Sequence, residues 1–188
     1  MIEYRVDTDD LFKSGAEALV NPVNQKGVMG KGLAKAFKAK FPVYFENYRA
    51  KCARHAICRW TPDFYRVGKH DGDHGNLKYI VSFATKYHWR DKSVIEDIQK
   101  GLFRLSLQII RYRIESIAIP PLGCGLGGLD WDEVRPAFVR ALESVSDTGT
   151  RVIVYEPWEK SERRMLDNEI VSYLAEQPER GNSDGGRI

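Results

Sequence analysis

Two asparagines and several glycines follow an apolar segment in the first part of the chain. The stretch ALVNPVNQKGVMGKGLA runs from Ala18 to Ala34, and its glycines are Gly27, Gly30 and Gly32. Glycine lets a backbone approach a ligand closely, and the start of a helix offers unpaired N–H groups with partial positive charge. Such a strand-to-helix turn can bind phosphate, although its spacing is not that of a Walker loop, and an ordinary glycine-containing loop is the alternative.

A second glycine loop follows another apolar segment. The stretch IAIPPLGCGLGGLDW runs from Ile117 to Trp131 and places Gly123, Gly125 and Gly127 ahead of a predicted helix. One such loop is common in proteins. Two in one small domain would let rows of backbone N–H groups bind a diphosphate from both sides.

A lysine follows a third apolar segment. Lys86 comes shortly after the segment YIVSF, Tyr79–Phe83, and lies within TKYHWR, from Thr85 to Arg90. By itself such a lysine would extend its amine to solvent. A lysine held away from water instead has a lowered pKa and can act as a nucleophile or as an acid.

The elements that must position these residues alternate between short apolar runs and helical patterns. The predicted strands are Ile2–Val6, Ala18–Pro22, Phe64–Val67, Tyr79–Phe83, Ser116–Ile119 and Arg151–Tyr155. The predicted helices are Gly32–Lys40, Val43–Arg54, Ser93–Tyr112, Asp130–Val145 and Glu159–Ala175. This alternation is typical of a three-layer α/β domain with a largely parallel sheet, in which ligands bind beyond the carboxyl ends of the strands.

Local signals predict some of the boundaries. Ser93 with Glu96 forms a capping box pattern, and Asp130 is a predicted helix N-cap. The segment HDGDHG, residues 70–75, predicts a hairpin turn. Its two histidines could also suggest a metal, but a turn does not place them on one face as a helix would.

Composition excludes several classes of protein. The chain has 188 residues, of which 43% are hydrophobic, so one domain with a real core is expected and whole-chain disorder is excluded. Neither a membrane-spanning stretch nor a signal peptide is present in the sequence, and its three cysteines form no CxxC pair. We therefore expect a protein of the reducing cytoplasm, without a disulfide scaffold or a zinc ribbon.

Positive charge is concentrated after the first glycine loop. Residues 31–69 contain ten Lys and Arg against two acidic residues, whereas the whole chain has a net charge of +3. A solvated helix face is one interpretation, and attraction to a polyanion such as nucleic acid is the other.

Taken together, both glycine loops and the segment TKYHWR resemble the macrodomain, a module that binds ADP-ribose. They are most similar to its branch of DNA ADP-ribosyl glycohydrolases, found as DarG-type antitoxins and related to terminal ADP-ribose glycohydrolases. The resemblance spans residues 2–155. It implies a three-layer α/β macrodomain over residues 1–157, with a mixed, largely parallel six-stranded sheet flanked by helices. A C-terminal helix over 158–176 and a flexible polar tail over 177–188 are expected to follow.

The resemblance also implies the ligand contacts. Asp10 matches the aspartate that accepts a hydrogen bond from the adenine amino group, with Leu11 beside it, and Asn24 matches the asparagine at the distal ribose. Asp9 stands where the family usually has glycine, which predicts weaker adenine binding. The other implied ADP-ribose contacts are Gly27, Val28, Met29, Gly30, Lys31, Gly32, Leu33, Thr85, Leu122, Gly123, Cys124, Gly125, Leu126 and Gly127. Asn21 is expected to be structural, and Glu156 and Pro157 are expected to wall the adenine pocket.

Lys86 matches the catalytic lysine of the family. The resemblance implies either attack by its amine on the anomeric carbon of ADP-ribose or aid to the departing base as an acid. Gly127 stands where human-type relatives carry an aspartate, so no second catalytic carboxylate is expected, and no metal or other cofactor is implied. His88, Trp89 and Lys35 are candidate contacts to DNA.

The implied function is removal of ADP-ribose from a nucleobase, thymidine in single-stranded DNA, as the antitoxin of a DNA ADP-ribosyltransferase toxin. The alternatives are a reader that binds ADP-ribose without cleavage and a hydrolase of protein-linked ADP-ribose esters or of ADP-ribose 1″-phosphate. Full-length antitoxins of this type often carry a further region that binds the toxin, so we expect this chain to be either truncated or a short member. Its expected partners are ADP-ribose, modified single-stranded DNA and a cognate toxin, and no membrane.

Overall fold

Strands and helices alternate along the chain as the sequence predicts. A computed structural model describes residues 2–6, 10–157 and 159. The strands are β1 (Ile2–Val6), β2 (Ala18–Asn24), β3 (Asp63–Arg66), β4 (Tyr79–Lys86), β5 (Ser116–Ile119) and β6 (Arg151–Glu156). The helices are α1 (Gly32–Lys40), α2 (Pro42–Ala53), α3 (Ile95–Tyr112) and α4 (Trp131–Ser146), with short 3-10 turns at Leu11–Lys13 and Lys69–Asp71.

The six strands of the described chain form one mixed sheet. Their order is β1-β6-β5-β2-β4-β3, and every neighbouring pair is parallel except β3 with β4. The predicted fold class is therefore confirmed, and the predicted turn at residues 70–75 does join an antiparallel pair.

Two apolar cores cover the two faces of the sheet because successive strand residues point to opposite sides. In β2, Val20 packs with α3 and α4, whereas Leu19 packs with α1 and α2. The chain thus leaves β2 toward one face and leaves the neighbouring β5 toward the other. The carboxyl ends of β2 and β5 consequently form a topological switch point, where open α/β sheets bind ligands.

Two strands are longer than the apolar pattern predicts. β2 continues from Pro22 to Asn24, and β4 continues from Phe83 to Lys86. The extension pairs Asn24 with Lys86 across the sheet, after an irregularity between Val23 and Asn24. The two residues that the sequence assigns to ribose and to catalysis are thereby neighbours on adjacent strands.

Helix starts agree with the sequence at one position and differ at another. Asp130 is confirmed as the N-cap of α4, since its carboxylate accepts a 3.0 Å hydrogen bond from the Asp132 N–H. The predicted capping box at Ser93 is wrong, because α3 begins at Ile95 and its N-cap is Val94. Ser93 instead donates its N–H to the Gly127 carbonyl at 3.0 Å, which draws it toward the second glycine loop.

Some predictions fall on parts of the chain that the structure does not describe. These are the effect of Asp9, the tail over 177–188, and the C-terminal helix apart from residue 159. Within the described ranges, no helix has both the length and the apolar character needed to cross a bilayer.

Candidate active site

A cavity of about 770 Å³ opens at the carboxyl edge of the sheet, between the two glycine loops. Its volume lies within the range of roughly 300–1,000 Å³ that is common for small-molecule sites. The predicted site residues that line it are Asp10, Leu11, Asn24, Val28, Gly30, Lys31, Gly32, Leu33, Thr85, Lys86, Trp89, Gly123, Gly125, Leu126 and Gly127. The structure therefore brings most of the predicted site together around one space.

Asn24 organises the first glycine loop from within. Its Oδ1 accepts the N–H of Lys26 at 2.9 Å, and its Nδ2 donates to the Val28 carbonyl at 2.6 Å. The hydroxyl of Tyr48 on α2 donates to the Asn24 main-chain carbonyl at 2.6 Å. The side chain predicted to meet the distal ribose thus also shapes the loop that would surround it.

Asn21 has the structural position that the sequence predicts. Its Nδ2 donates to the Tyr44 hydroxyl at 3.1 Å and lies 3.9 Å from the sulfur of Met29. The Tyr44 hydroxyl is in turn 2.8 Å from the Ser82 hydroxyl on β4. Burial raises the pKa of Tyr44 well above its usual value, so this network stays neutral under ordinary conditions.

The amino end of α1 is open toward the cavity. Lys31 is the N-cap but makes no side-chain capping bond, and Gly32, Leu33 and Ala34 of the first turn all line the cavity. First-turn N–H groups have no partner within their own helix, so these groups and the helix dipole favour an anion at this position. Gly32 has a φ of +57°, which favours glycine at the start of this helix.

The second glycine loop presents a row of backbone donors. Among the described residues, the N–H groups of Gly125, Leu126 and Gly127 donate no backbone hydrogen bond. Their residues all line the cavity, opposite the start of α1. Consecutive free N–H groups in a turn form an anion-binding concavity, and a diphosphate would satisfy donors on both sides.

Close packing explains the glycine at position 127. A Cβ built there would lie 2.3 Å from the Gly123 carbonyl oxygen and 2.3 Å from the Ser93 hydroxyl. An aspartate at this position is therefore excluded unless the loop moves. By contrast, a Cβ at Gly125 meets no atom within 4 Å.

The Lys86 amine lies inside the cavity wall rather than in bulk solvent. Lys86 is about 9% exposed, and its Nζ donates to the carbonyls of Leu126 at 2.9 Å and Asp91 at 3.1 Å. Burial and the nearby positive charge of Lys92 lower the pKa of Lys86, while the Asp91 carboxylate opposes them. The strand pairing and the Leu126 contact place this amine between the two loops.

Asp10 lines the cavity from the start of the first 3-10 turn. Its Oδ1 accepts the N–H of Phe12 at 2.9 Å, and its Oδ2 lies 3.6 Å from the Lys13 amine. Phe12 and Tyr155 line the same cavity, so aromatic surface is available beside this carboxylate. That combination suits a flat base with an exocyclic amino group.

Glu156 and Pro157 are not among the cavity-lining residues, although the sequence places them at the adenine pocket. Glu156 is buried and forms an ion pair with Arg135 of α4 at 3.4 Å. Tyr155, one residue earlier, is the part of β6 that reaches the cavity. For Glu156 the strand alternation accounts for the difference, since adjacent residues point to opposite faces, and Pro157 lies beyond the end of β6.

Six predicted contacts do not line the cavity, and for these the ligand contact stays a prediction. They are Gly27, Met29, Lys35, His88, Leu122 and Cys124. Met29 and Leu122 are buried in the two cores, and Gly27 packs against α2, where its Cβ would lie 3.4 Å from Cys52. Burial, with the nearby carboxylate of Asp130, raises the pKa of the Cys124 thiol to about 12.

Sequence reasoning missed several apolar lining residues. They are Phe12, Pro22, Val23, Ala34, Pro120, Pro121 and Tyr155. The pair Pro120 and Pro121 directly precedes the second glycine loop and could have been included with it. Phe12 and Tyr155 carry no local signal, because their contribution depends on strands distant in the sequence.

Among the described residues, no group of His, Cys, Asp or Glu has an arrangement suited to a metal ion. His74, from the predicted turn, contacts the Asp71 carbonyl at 2.6 Å. The donors at the cavity include backbone N–H groups and the two lysines Lys31 and Lys86, which suit an anionic ligand.

Comparisons with known proteins agree with this geometry. The family model described as Macro domain matches residues 20–138. A relative from Mycobacterium tuberculosis, named DNA ADP-ribosyl glycohydrolase, is 40% identical over 157 residues, which cover 84% of this chain and 42% of the relative. A relative of the same name from Thermus aquaticus is 42% identical over 151 residues, covering 80% of this chain and 40% of the relative. The chain thus corresponds to about two fifths of the length of these curated relatives.

Solved structures show the same similarity. The macrodomain of Mycobacterium tuberculosis DarG has a TM-score of 0.76 and 38% identity, covering 84% of this chain and 98% of that structure. The Thermosipho africanus DarTG structure, in complex with ADP-ribose, has a TM-score of 0.74 and 32% identity, covering 84% of this chain and 42% of that one.

Proposed function

The chain belongs to the macrodomain family, and from that premise we propose that it is a DNA ADP-ribosyl glycohydrolase. Its substrate is ADP-ribose linked to thymidine in single-stranded DNA, and it acts as the antitoxin of a DNA ADP-ribosyltransferase. Support comes from relatives named DNA ADP-ribosyl glycohydrolase at 40% and 42% identity. A Thermosipho africanus relative, 33% identical, is named as a fusion of such a transferase with such a glycohydrolase.

The observation that carries the proposal is the position of the Lys86 amine. A diphosphate bound by the second glycine loop and by the start of α1 would extend its distal ribose along Asn24 and the end of β4. Lys86 pairs with Asn24 across the sheet, which supports a position of its amine close to the anomeric carbon of that ribose.

The chemistry follows from a lysine with a lowered pKa. The neutral amine attacks the anomeric carbon, the bond from that carbon to the base nitrogen breaks, and its electron pair leaves with the base, which takes up a proton. Water then attacks the same carbon and releases ADP-ribose and the free amine. The backbone donors fix the diphosphate, which holds the anomeric carbon in position for the first step.

One observation favours a second function, a reader that binds ADP-ribose without cleavage. The Lys86 amine donates to two backbone carbonyls, and such bonds stabilise the charged ammonium, which has no lone pair for attack. In a reader, this lysine would serve only as a positive charge beside the ligand.

Release of ADP-ribose from a modified single-stranded oligonucleotide separates the two functions. We expect turnover by the wild-type chain and at least about a thousandfold lower turnover by Lys86→Ala, since removal of a nucleophile has effects of that order. Calorimetry should show similar ADP-ribose affinity for both proteins. Full turnover by Lys86→Ala would contradict the lysine mechanism, and ADP-ribose binding without turnover by the wild type would support the reader.

The substrate class needs a parallel comparison with one protein sample. Rates on ADP-ribosylated single-stranded DNA should exceed those on protein-linked ADP-ribose esters and on ADP-ribose 1″-phosphate. Faster release from either of the latter two would reassign the substrate. A cytoplasmic location, where the modified DNA and the toxin would be found, is part of the same proposal.

A further inference from the structure

The loop before β3 lies at the same edge of the sheet as the cavity. β3 is antiparallel to β4 and pairs its first residue, Asp63, with Ser82 in the middle of β4. The chain before Asp63 therefore lies on the side of the carboxyl end of β4. The side chain of Gln25 donates to the Ile57 carbonyl at 2.5 Å, and the Gln25 N–H donates to the Tyr87 carbonyl at 2.9 Å. This loop, residues 54–62, is therefore joined to the segment that directly follows Lys86.

An exposed aromatic ring on each of these two segments has at least one cation beside it. Lys26 lies over the Tyr87 ring, 4.1 Å from its centroid. Lys100 and Arg59 lie 5.4 Å and 5.9 Å from the Trp60 ring. We call this set of five residues the edge patch: Lys26, Arg59, Trp60, Tyr87 and Lys100.

The edge patch is held in place. Asp97, buried on the first turn of α3, accepts the Trp60 indole N–H at 2.7 Å and the Arg59 guanidinium at 2.6 Å. Trp60 nevertheless remains 46% exposed, and Tyr87 is 47% exposed. A large ring that is fixed by its polar edge but open on its apolar surface loses little entropy when a flat group stacks on it.

The patch meets the rim of the cavity. Tyr87 follows Lys86 directly, and Trp89, two residues further, lines the cavity. A nucleotide linked to the base held near Lys86 would leave the cavity on this side. Rings spaced among cations suit the bases and phosphates of a single strand, because every base has a face for stacking and every phosphate carries a charge.

Resting on the proposed function, we propose that the edge patch binds the nucleotides flanking the modified thymidine of single-stranded DNA. The patch holds Trp60 for base stacking and Lys100 for phosphate contact. It gives the protein a preference for a modified strand over a modified nucleoside. This contact is independent of base sequence, because neither stacking nor phosphate contact reads base edges.

Two substrates test the proposal on the full chain: ADP-ribosylated thymidine as a nucleoside, and the same group within a single-stranded oligonucleotide. Trp60→Ala should lower kcat/KM on the oligonucleotide about tenfold, the effect of one lost base stack, and leave the nucleoside rate unchanged. The matched control is Tyr112→Ala, because Tyr112 is also 46% exposed. It is the last residue of α3, whereas Trp60 contacts Asp97 on the first turn of that helix.

Salt dependence tests the charged part of the patch. The affinity for the single-stranded oligonucleotide is measured at several salt concentrations. Lys100→Gln should reduce the magnitude of the slope of log affinity against log salt concentration by about 0.7, the effect of one phosphate contact on a single strand. Arg111→Gln, an exposed cation near the far end of α3, should leave the slope unchanged.

The outcomes distinguish failure of this inference from failure of the proposed function. If Trp60→Ala lowered kcat/KM equally on both substrates, Trp60 would support the fold of the site. If it lowered kcat/KM on neither substrate, the patch would serve another partner. Both results overturn the inference. A wild-type chain that releases ADP-ribose from neither substrate would overturn the proposed function itself.

Discussion

The Lys86 amine donates a 2.9 Å hydrogen bond to the carbonyl oxygen of Leu126, which joins the end of β4 to the second glycine loop. In the same loop, Gly125, Leu126 and Gly127 line the cavity, and their N–H groups donate no backbone hydrogen bond among the described residues. One short segment thus offers an acceptor to the lysine and donors to an anion. A diphosphate and the amine would therefore be positioned by the same backbone turn.

The pH dependence of the reaction should reveal the protonation state in which Lys86 acts. Burial and Lys92 lower the pKa of Lys86. Lys92→Met removes the positive charge, so the pKa of Lys86 should rise. If the neutral amine attacks, kcat/KM rises with pH, and the variant shifts this rise to higher pH and is slower at any pH on the rising limb.

The opposite result would assign Lys86 as an acid. In that case kcat/KM falls as the amine loses its proton, and Lys92→Met extends activity to higher pH. Lys92→Arg, which keeps the charge, is the control and should reproduce the wild-type profile. A profile unaffected by Lys92→Met would contradict the electrostatic influence of Lys92 on Lys86.

The thiol of Cys124 should be unreactive although it lies in the second glycine loop. Its pKa is raised to about 12 by burial and by the nearby Asp130 carboxylate, so the thiol stays almost entirely protonated at pH 8. Iodoacetamide at pH 8 should therefore modify Cys58 faster than Cys124 in the folded protein, as measured by mass spectrometry of peptides. Modification of Cys124 as fast as that of Cys58 in the native protein would contradict the raised pKa of the Cys124 thiol.

Local sequence signals predicted the parts of the site that local chemistry determines. Glycines at strand ends marked both loops, and the apolar run before Lys86 placed this residue at the carboxyl end of a strand. Both loops and Lys86 line the cavity. These signals succeed because the positive φ and close packing of a glycine, and the alternation of a strand, are properties of a few adjacent residues.

Other features depend on residues distant in the chain. β2 and β4 extend through polar residues such as Asn24 and Thr85 because each strand pairs with the other, which an apolar pattern does not show. Ser93 has a capping sequence, yet it packs on Gly127. The loop before β3 reaches the site edge only because β3 is antiparallel, and strand direction is not encoded in the strand itself.

Tyr48 should stabilise the first glycine loop through the main chain of Asn24. Tyr48→Phe removes the 2.6 Å donor to a buried carbonyl, which should cost about 1–3 kcal/mol of unfolding free energy. ADP-ribose affinity should fall as well, because the loop that lines the cavity is less fixed. Denaturant unfolding and calorimetry provide the two measurements.

A tyrosine at the other end of the sheet provides the control for this change. Tyr79→Phe removes a hydroxyl from the first residue of β4, away from the carboxyl edge, and should leave ADP-ribose affinity unchanged. If Tyr48→Phe were as stable and as tight a binder as the wild type, the hydrogen bond to Asn24 would not support the loop.

Two glycines of the second loop should respond differently to alanine. Gly127→Ala introduces a methyl group 2.3 Å from the Gly123 carbonyl oxygen and from the Ser93 hydroxyl, so the backbone must shift, at a cost of about 1–3 kcal/mol. The shift would also move the free N–H groups, so ADP-ribose affinity should fall at least about tenfold. Gly125→Ala meets open space and has no positive φ, so its unfolding free energy should stay near that of the wild type. Equal stability of the two variants would mean that the loop adapts freely, and a loop that adapts freely could not hold both a diphosphate and the Lys86 amine in register.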